Sequence, residues 1–127
     1  MSGFRTPLGR ARGLGSAKEG VGHHWGTLVT AIGLIPLSLW LVISLAGLGG
    51  ADYATFKGWL SGPFNASMFV LTVLMVIYHA QLGVQMVVED YVHGEGIKFG
   101  TLVATKLVAA FLAVFMTVSI LKVAVGV

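Results

Sequence analysis

Three apolar runs dominate this chain: Trp25 to Leu48, Phe64 to Val88 and Phe99 to Val125. Each is long enough to cross a bilayer core, which takes about 20 apolar residues in helical form. A helix is the only single-segment structure that satisfies its own backbone in hydrocarbon, so the runs dictate an all-α membrane protein with three transmembrane helices. Composition agrees. Of 127 residues, 56% are hydrophobic and 10% charged, against roughly 25% charged in soluble domains. Little chain remains outside the runs, so no soluble catalytic domain is expected. The domain reading is a basic, flexible arm over residues 1–24 and a single anchor domain over 25–127.

Arg5, Arg10, Arg12 and Lys18 lie in the arm, and Lys98 in the link before the third run. Lys57 and Lys122 fall on the other side. The positive-inside rule then sets the N-terminus on the cytoplasmic side, or the matrix side in a mitochondrion, and the C-terminus opposite. The first run is too long for a signal-peptide core and lacks a small-residue cleavage site, so no cleaved signal is expected. A net charge of +3, with the bases beside a membrane and no recognition motif, points to anionic lipid rather than nucleic acid. The absence of cysteine excludes disulfides and thiolate-ligated iron–sulfur clusters within this chain.

The second run holds the chemistry. His79 is an ionisable residue at membrane depth, which is costly and marks a functional site by default. Asp90-Tyr91 follows eleven residues later, about three helical turns, so His79 and Asp90 share a face roughly 16 Å apart along the axis. A neutral imidazole can ligate haem iron. The competing reading is a histidine bonded to a neighbouring helix. Gly83, one turn on, would let a flat macrocycle approach the backbone. A phenol can donate to a quinone carbonyl, and an adjacent carboxylate can relay protons. Asp52-Tyr53 repeats the dipeptide in the opposite loop, so only the register with His79 carries information. Gln81 and Gln85 point off the His79 face, as interhelical hydrogen-bonding residues do. His23 and His24 precede the first run on the Asp90 side, near enough to meet a cofactor carboxylate. Pro36 is expected to kink the first helix. Lys106 is expected to snorkel to the inner interface. The loops at Gly49-Gly50, Gly62-Pro63 and Gly94 to Gly96 read as tight links.

With these residues in place, the chain resembles the smaller of the two membrane-anchor subunits of succinate dehydrogenase, respiratory complex II. The resemblance rests on His79, ten intervening residues and Asp90-Tyr91 in the second of three spans. The stretch Gly20-Val-Gly-His-His-Trp25 followed by Thr30-Ala-Ile32 supports it. The companion anchor of that complex opens on Arg-Pro-x-Ser-Pro-His, which is missing here. The resemblance implies that His79 is one axial ligand of haem b, completed by a histidine of the companion anchor. It implies that Tyr91 hydrogen-bonds ubiquinone, that Asp90 supports that site, and that FAD and iron–sulfur clusters reside in partner subunits. The implied partners are the second membrane anchor, the iron–sulfur subunit and the flavoprotein subunit, at a bacterial inner or mitochondrial inner membrane. A trimer of heterotetramers is left open. The chain would be part of an enzyme without activity alone. Relatives often carry an arginine just before the Thr-Ala pair, set to meet a haem propionate. Leu28 and Val29 stand there, so either His23, His24 or a partner neutralises it, or haem binding is altered. The alternatives are a quinol:fumarate reductase anchor and a non-redox helical assembly subunit.

Overall fold

The computed structural model describes residues 7–8 and 17–126, with side chains among the latter from Val21 onward. Arg5, Arg10, Arg12 and the Lys18 side chain, on which the reading of a basic arm rests, lie outside what is described. The described chain is helical: α1 (Ala17–Gly47), α2 (Tyr53–Ser61), α3 (Pro63–Tyr91) and α4 (Glu95–Val125). Among the described residues there is no strand. α1 from Val21, α3 and α4 are long and apolar enough to cross a membrane, and they coincide with the three runs.

The N-terminal helix limits move outward from the apolar limits because a helix does not stop where hydrocarbon stops. α1 begins eight residues before Trp25, and α4 starts at Glu95 rather than Phe99. Glu95 in that first turn complements the helix dipole. Lys106 therefore lies eleven residues into its helix, deeper than a turn and a half. α1 runs through Pro36, which has no N–H to give the Ile32 carbonyl.

The first loop is not merely a link, since α2 occupies most of it. Asp52 caps α2, its Oδ1 accepting from the Thr55 backbone N–H at 2.9 Å. The Thr55 side chain, followed by that N–H, holds the Asp52 carboxyl below its usual value. The capping charge is thus present above the ordinary carboxylate range and is lost as pH falls through the lowered value. The decoy dipeptide Asp52-Tyr53 is an N-cap and the first residue of a helix. α2 then lays Trp59 between Trp40 of α1 (ring centroids 5.8 Å) and Phe69 of α3 (6.2 Å). Such aromatic pairs contribute about 0.5–1.5 kcal/mol each beyond area burial. Leu60 of the same helix is 2% exposed.

α3 is central. It packs against α1, α2 and α4, whereas α1 and α4 never approach each other at the backbone. The α1–α3 approach is close because α1 presents glycines. A Cβ on Gly33 would lie 2.9 Å from Met75 Sδ, and one on Gly26 would lie 3.2 Å from the Tyr78 hydroxyl. The small core comprises Leu37, Leu60, Leu82, Val88 and Ile120, with Thr30, Thr72 and Gln81 as its buried polar members. Most of the remaining apolar surface faces outward on all three long helices, as it does in a chain covered by lipid and partner helices.

Candidate functional site

α3 runs unbroken from Pro63 to Tyr91, so the register between His79 and Asp90 expected from sequence is realised on one rigid element. His79 is half-buried on the α1 side. Its Nδ1 lies 2.8 Å from Thr30 Oγ1, and Thr30 is 6% exposed. Nε2 has no hydrogen-bond partner among the described residues. The interhelical-glue reading of His79 thus holds for one ring nitrogen and leaves the other free.

One turn toward Tyr91, Gly83 is exposed, and a Cβ built there would meet no atom within 4 Å. A mid-helix glycine costs about 0.8–1.0 kcal/mol relative to alanine, and packing within this chain does not demand it. On α1, His23 lies seven residues before Thr30, on the same face and about 10 Å away along the axis. Its Nε2 is buried without a partner among the described residues, an arrangement that costs free energy unless something else satisfies it. His24 is exposed. Among the described residues no group of three or more His, Cys, Asp or Glu could hold a metal ion, so a metal at His79 would take one ligand from this chain. The free Nε2, the open space at Gly83 and the orphaned nitrogen of His23 fit half of a bis-histidine haem site.

Asp90 and Tyr91 end α3. Tyr91 is 77% exposed, Asp90 is exposed, and His93 joins them, also exposed, in the link to α4. Nothing in the spacing of the sequence singles out His93, which lies beyond the helical register of His79. No basic residue stands in the last turn of α3, so Glu89 and Asp90 lie at the negative end of the helix dipole, where anions are disfavoured. Local stability does not explain that placement.

The glutamines depart from expectation. Gln81 Nε2 donates to Gln85 Oε1 at 3.3 Å, and Gln85 Nε2 donates to Glu89 Oε1 at 2.9 Å. They form a ladder within α3 rather than bonds between helices. The facing surface of α4 gives them no partner: Thr105 donates to its own helix at the Thr101 carbonyl. Gln81 also borders a groove of about 600 Å³ between α3 and α4, lined by residues such as Ala80, Gly100 and Ala104. A second groove of about 410 Å³ touches Lys106, Tyr78, Ala109 and Ala113. Neither reaches His79, Asp90 or Tyr91, which lie on the α1 side or at the helix end.

These features define a helical chain with three candidate membrane spans that carries a potential metal-ligating histidine inside one of them. The chain belongs to the succinate dehydrogenase/fumarate reductase transmembrane subunit family, which it matches over residues 2–121. It is similar to the succinate dehydrogenase hydrophobic membrane anchor subunit of Rickettsia bellii, with 33% identity over 118 residues, covering 92% of this chain and 94% of the relative. The Rickettsia conorii protein of the same name is 37% identical over 91 residues, 70% of this chain and 71% of its own. That of Paracoccus denitrificans is 33% identical over 91 residues, 72% and 70% respectively. No solved structure matches.

Proposed function

We propose that this chain is the hydrophobic anchor of a succinate:ubiquinone oxidoreductase, holding the flavoprotein and iron–sulfur subunits at an inner membrane. In this reading its N-terminus faces the cytoplasm or matrix. It has no activity alone; FAD and the iron–sulfur clusters belong to those partners. The observation that carries the reading is a single continuous helix presenting a free imidazole nitrogen at membrane depth and, three turns away, an exposed acid and phenol. The relatives named above are succinate dehydrogenase subunits, which favours this direction over fumarate reduction.

His79 would hold haem b through Nε2, together with a histidine of the second membrane anchor. Bound there, haem b offers a one-electron reservoir. His23 Nε2, without a partner among the described residues, meets a propionate where Leu28 and Val29 stand in place of an arginine, with His24 as its exposed neighbour. At the helix end, the Tyr91 hydroxyl donates to a carbonyl oxygen of ubiquinone. Reduction to ubiquinol takes two electrons, which come from the iron–sulfur subunit, and two protons from the same membrane side. Asp90 relays protons toward the carbonyl oxygens. The site is open because partner subunits form its other walls.

Affinity purification of the tagged chain from its native membrane tests this reading. A flavoprotein, an iron–sulfur protein and a second three-helix anchor should co-purify, and the assembly should reduce ubiquinone with succinate. A preparation without these partners overturns the proposal. Gly83 gives a narrower test. Gly83→Ala is expected to keep haem and slightly stabilise α3. Gly83→Leu, whose Cβ meets nothing in this chain, should lower the haem b absorbance per assembled complex severalfold. An undiminished absorbance in Gly83→Leu would show that no macrocycle lies over that turn.

A further inference from the structure

We propose that Thr30 is a positioning residue that fixes the tautomer and orientation of the His79 ring, leaving Nε2 with the lone pair that binds iron. The inference rests on His79 being a haem ligand, as proposed above. It follows from a count of protons around one oxygen. Thr30 Oγ1 lies 2.7 Å from the Gly26 carbonyl oxygen, 3.1 Å from that of Thr27 and 2.8 Å from His79 Nδ1. The hydroxyl has one proton to donate.

An oxygen–oxygen separation of 2.7 Å is the usual length of an O–H···O hydrogen bond. Two oxygens that close without a proton between them repel. The same donation to the carbonyl four residues back recurs at 2.7 Å for Thr72, Thr105, Thr117 and Ser119. The Thr30 proton is therefore committed to Gly26, and only lone pairs remain for His79. Nδ1 must then carry the hydrogen and donate it to Oγ1. The opposite tautomer would set the lone pairs of Nδ1 and Oγ1 against each other at 2.8 Å. In a site without bulk water, such an unmade hydrogen bond is most costly.

A neutral imidazole carries one ring proton, so an Nδ1–H leaves Nε2 unprotonated. Metal-binding histidines generally donate their second ring nitrogen to an oxygen, which fixes the ring and raises its basicity as a ligand. Thr30 fills that role from a different helix, 49 residues away in sequence. Gly26 and Gly33 bring α1 near enough for a short side chain to reach. A purely structural Thr30 would add a modest interhelical bond but would not alter the electronic state of an iron beyond the ring.

The test compares Thr30→Ser, Thr30→Cys, Thr30→Val and His79→Ala in the assembled complex, with succinate–dye activity as the assembly control. Redox titration and electron paramagnetic resonance of the ferric haem supply the readouts. Thr30→Ser keeps the acceptor and should match the wild type. Thr30→Val removes it at nearly constant volume. The weaker ligand should then raise the haem midpoint potential, shift the low-spin g-values and loosen haem retention about 10–100-fold. Thr30→Cys, a weak acceptor, should fall between them. If Thr30→Val matches the wild type in potential and g-values while His79→Ala loses haem, the positioning role is overturned and the ligand reading stands. If His79→Ala retains wild-type haem, both are overturned. Should Thr30→Val fail to assemble, the contrast of Thr30→Cys with Thr30→Ser decides, and identical spectra reject the proposal.

Discussion

Replacing His79 with alanine is expected to erase the b-type haem absorbance of the purified complex while the complex still assembles. Disrupting an outer partner of a metal ligand costs roughly 10–100-fold in affinity; removing the ligand itself costs more, so the spectrum should fall to baseline. Within the chain, the substitution removes one contact to Thr30, and polar contacts between membrane helices average about 0.6 kcal/mol. That is small beside the packing of α3 against three other helices. Difference spectra normalised to flavin content make the measurement. An unchanged spectrum would reject His79 as a ligand and return it to interhelical glue.

The second large effect concerns Tyr91→Phe. Tyr91 is 77% exposed and its hydroxyl has no partner among the described residues, so losing that oxygen leaves the fold intact. Ubiquinone reduction should fall about tenfold if the hydroxyl only binds the substrate, as expected for a hydrogen bond worth ~1.4 kcal/mol. It should fall about 10²–10⁴-fold if the hydroxyl also transfers a proton in the rate-limiting step. Succinate oxidation with an artificial dye, which bypasses the quinone site, should survive. Equal loss of both activities would point to failed assembly, and undiminished ubiquinone reduction would remove Tyr91 from the site.

Much of this is legible in the sequence because the bilayer narrows the choices. Run length yields the spanning helices, and the eleven-residue spacing yields the shared face of His79 and Asp90, since one unbroken helix preserves periodicity. Features that depend on how helices meet are not legible. The Thr30–His79 contact requires the register of α1 against α3, and that register is set by a loop containing a helix of its own. The sign of α2 is present in Asp52 and Thr55, a capping pair before an aromatic stretch, but the flanking glycines read as turns. Gln81 and Gln85 suggest interhelical bonds because polar residues in a span need partners. The choice between a neighbouring helix and the next turn of their own lies in the small-residue surface of α4. The helix ends move because capping and dipole effects at residues such as Glu95 act beyond the hydrocarbon boundary.

The placement of α3 has a consequence for quality control in the cell. α3 packs against each of the other helices and also carries His79, Asp90 and Tyr91. If α1 is displaced from α3, His79 loses its Thr30 anchor at the same moment that Gly26 and Gly33 lose their packing. If His79 holds haem as proposed, folding and competence for its capture become a single checkpoint. Partner subunits that select for a well-oriented imidazole would in effect select for a correctly folded chain.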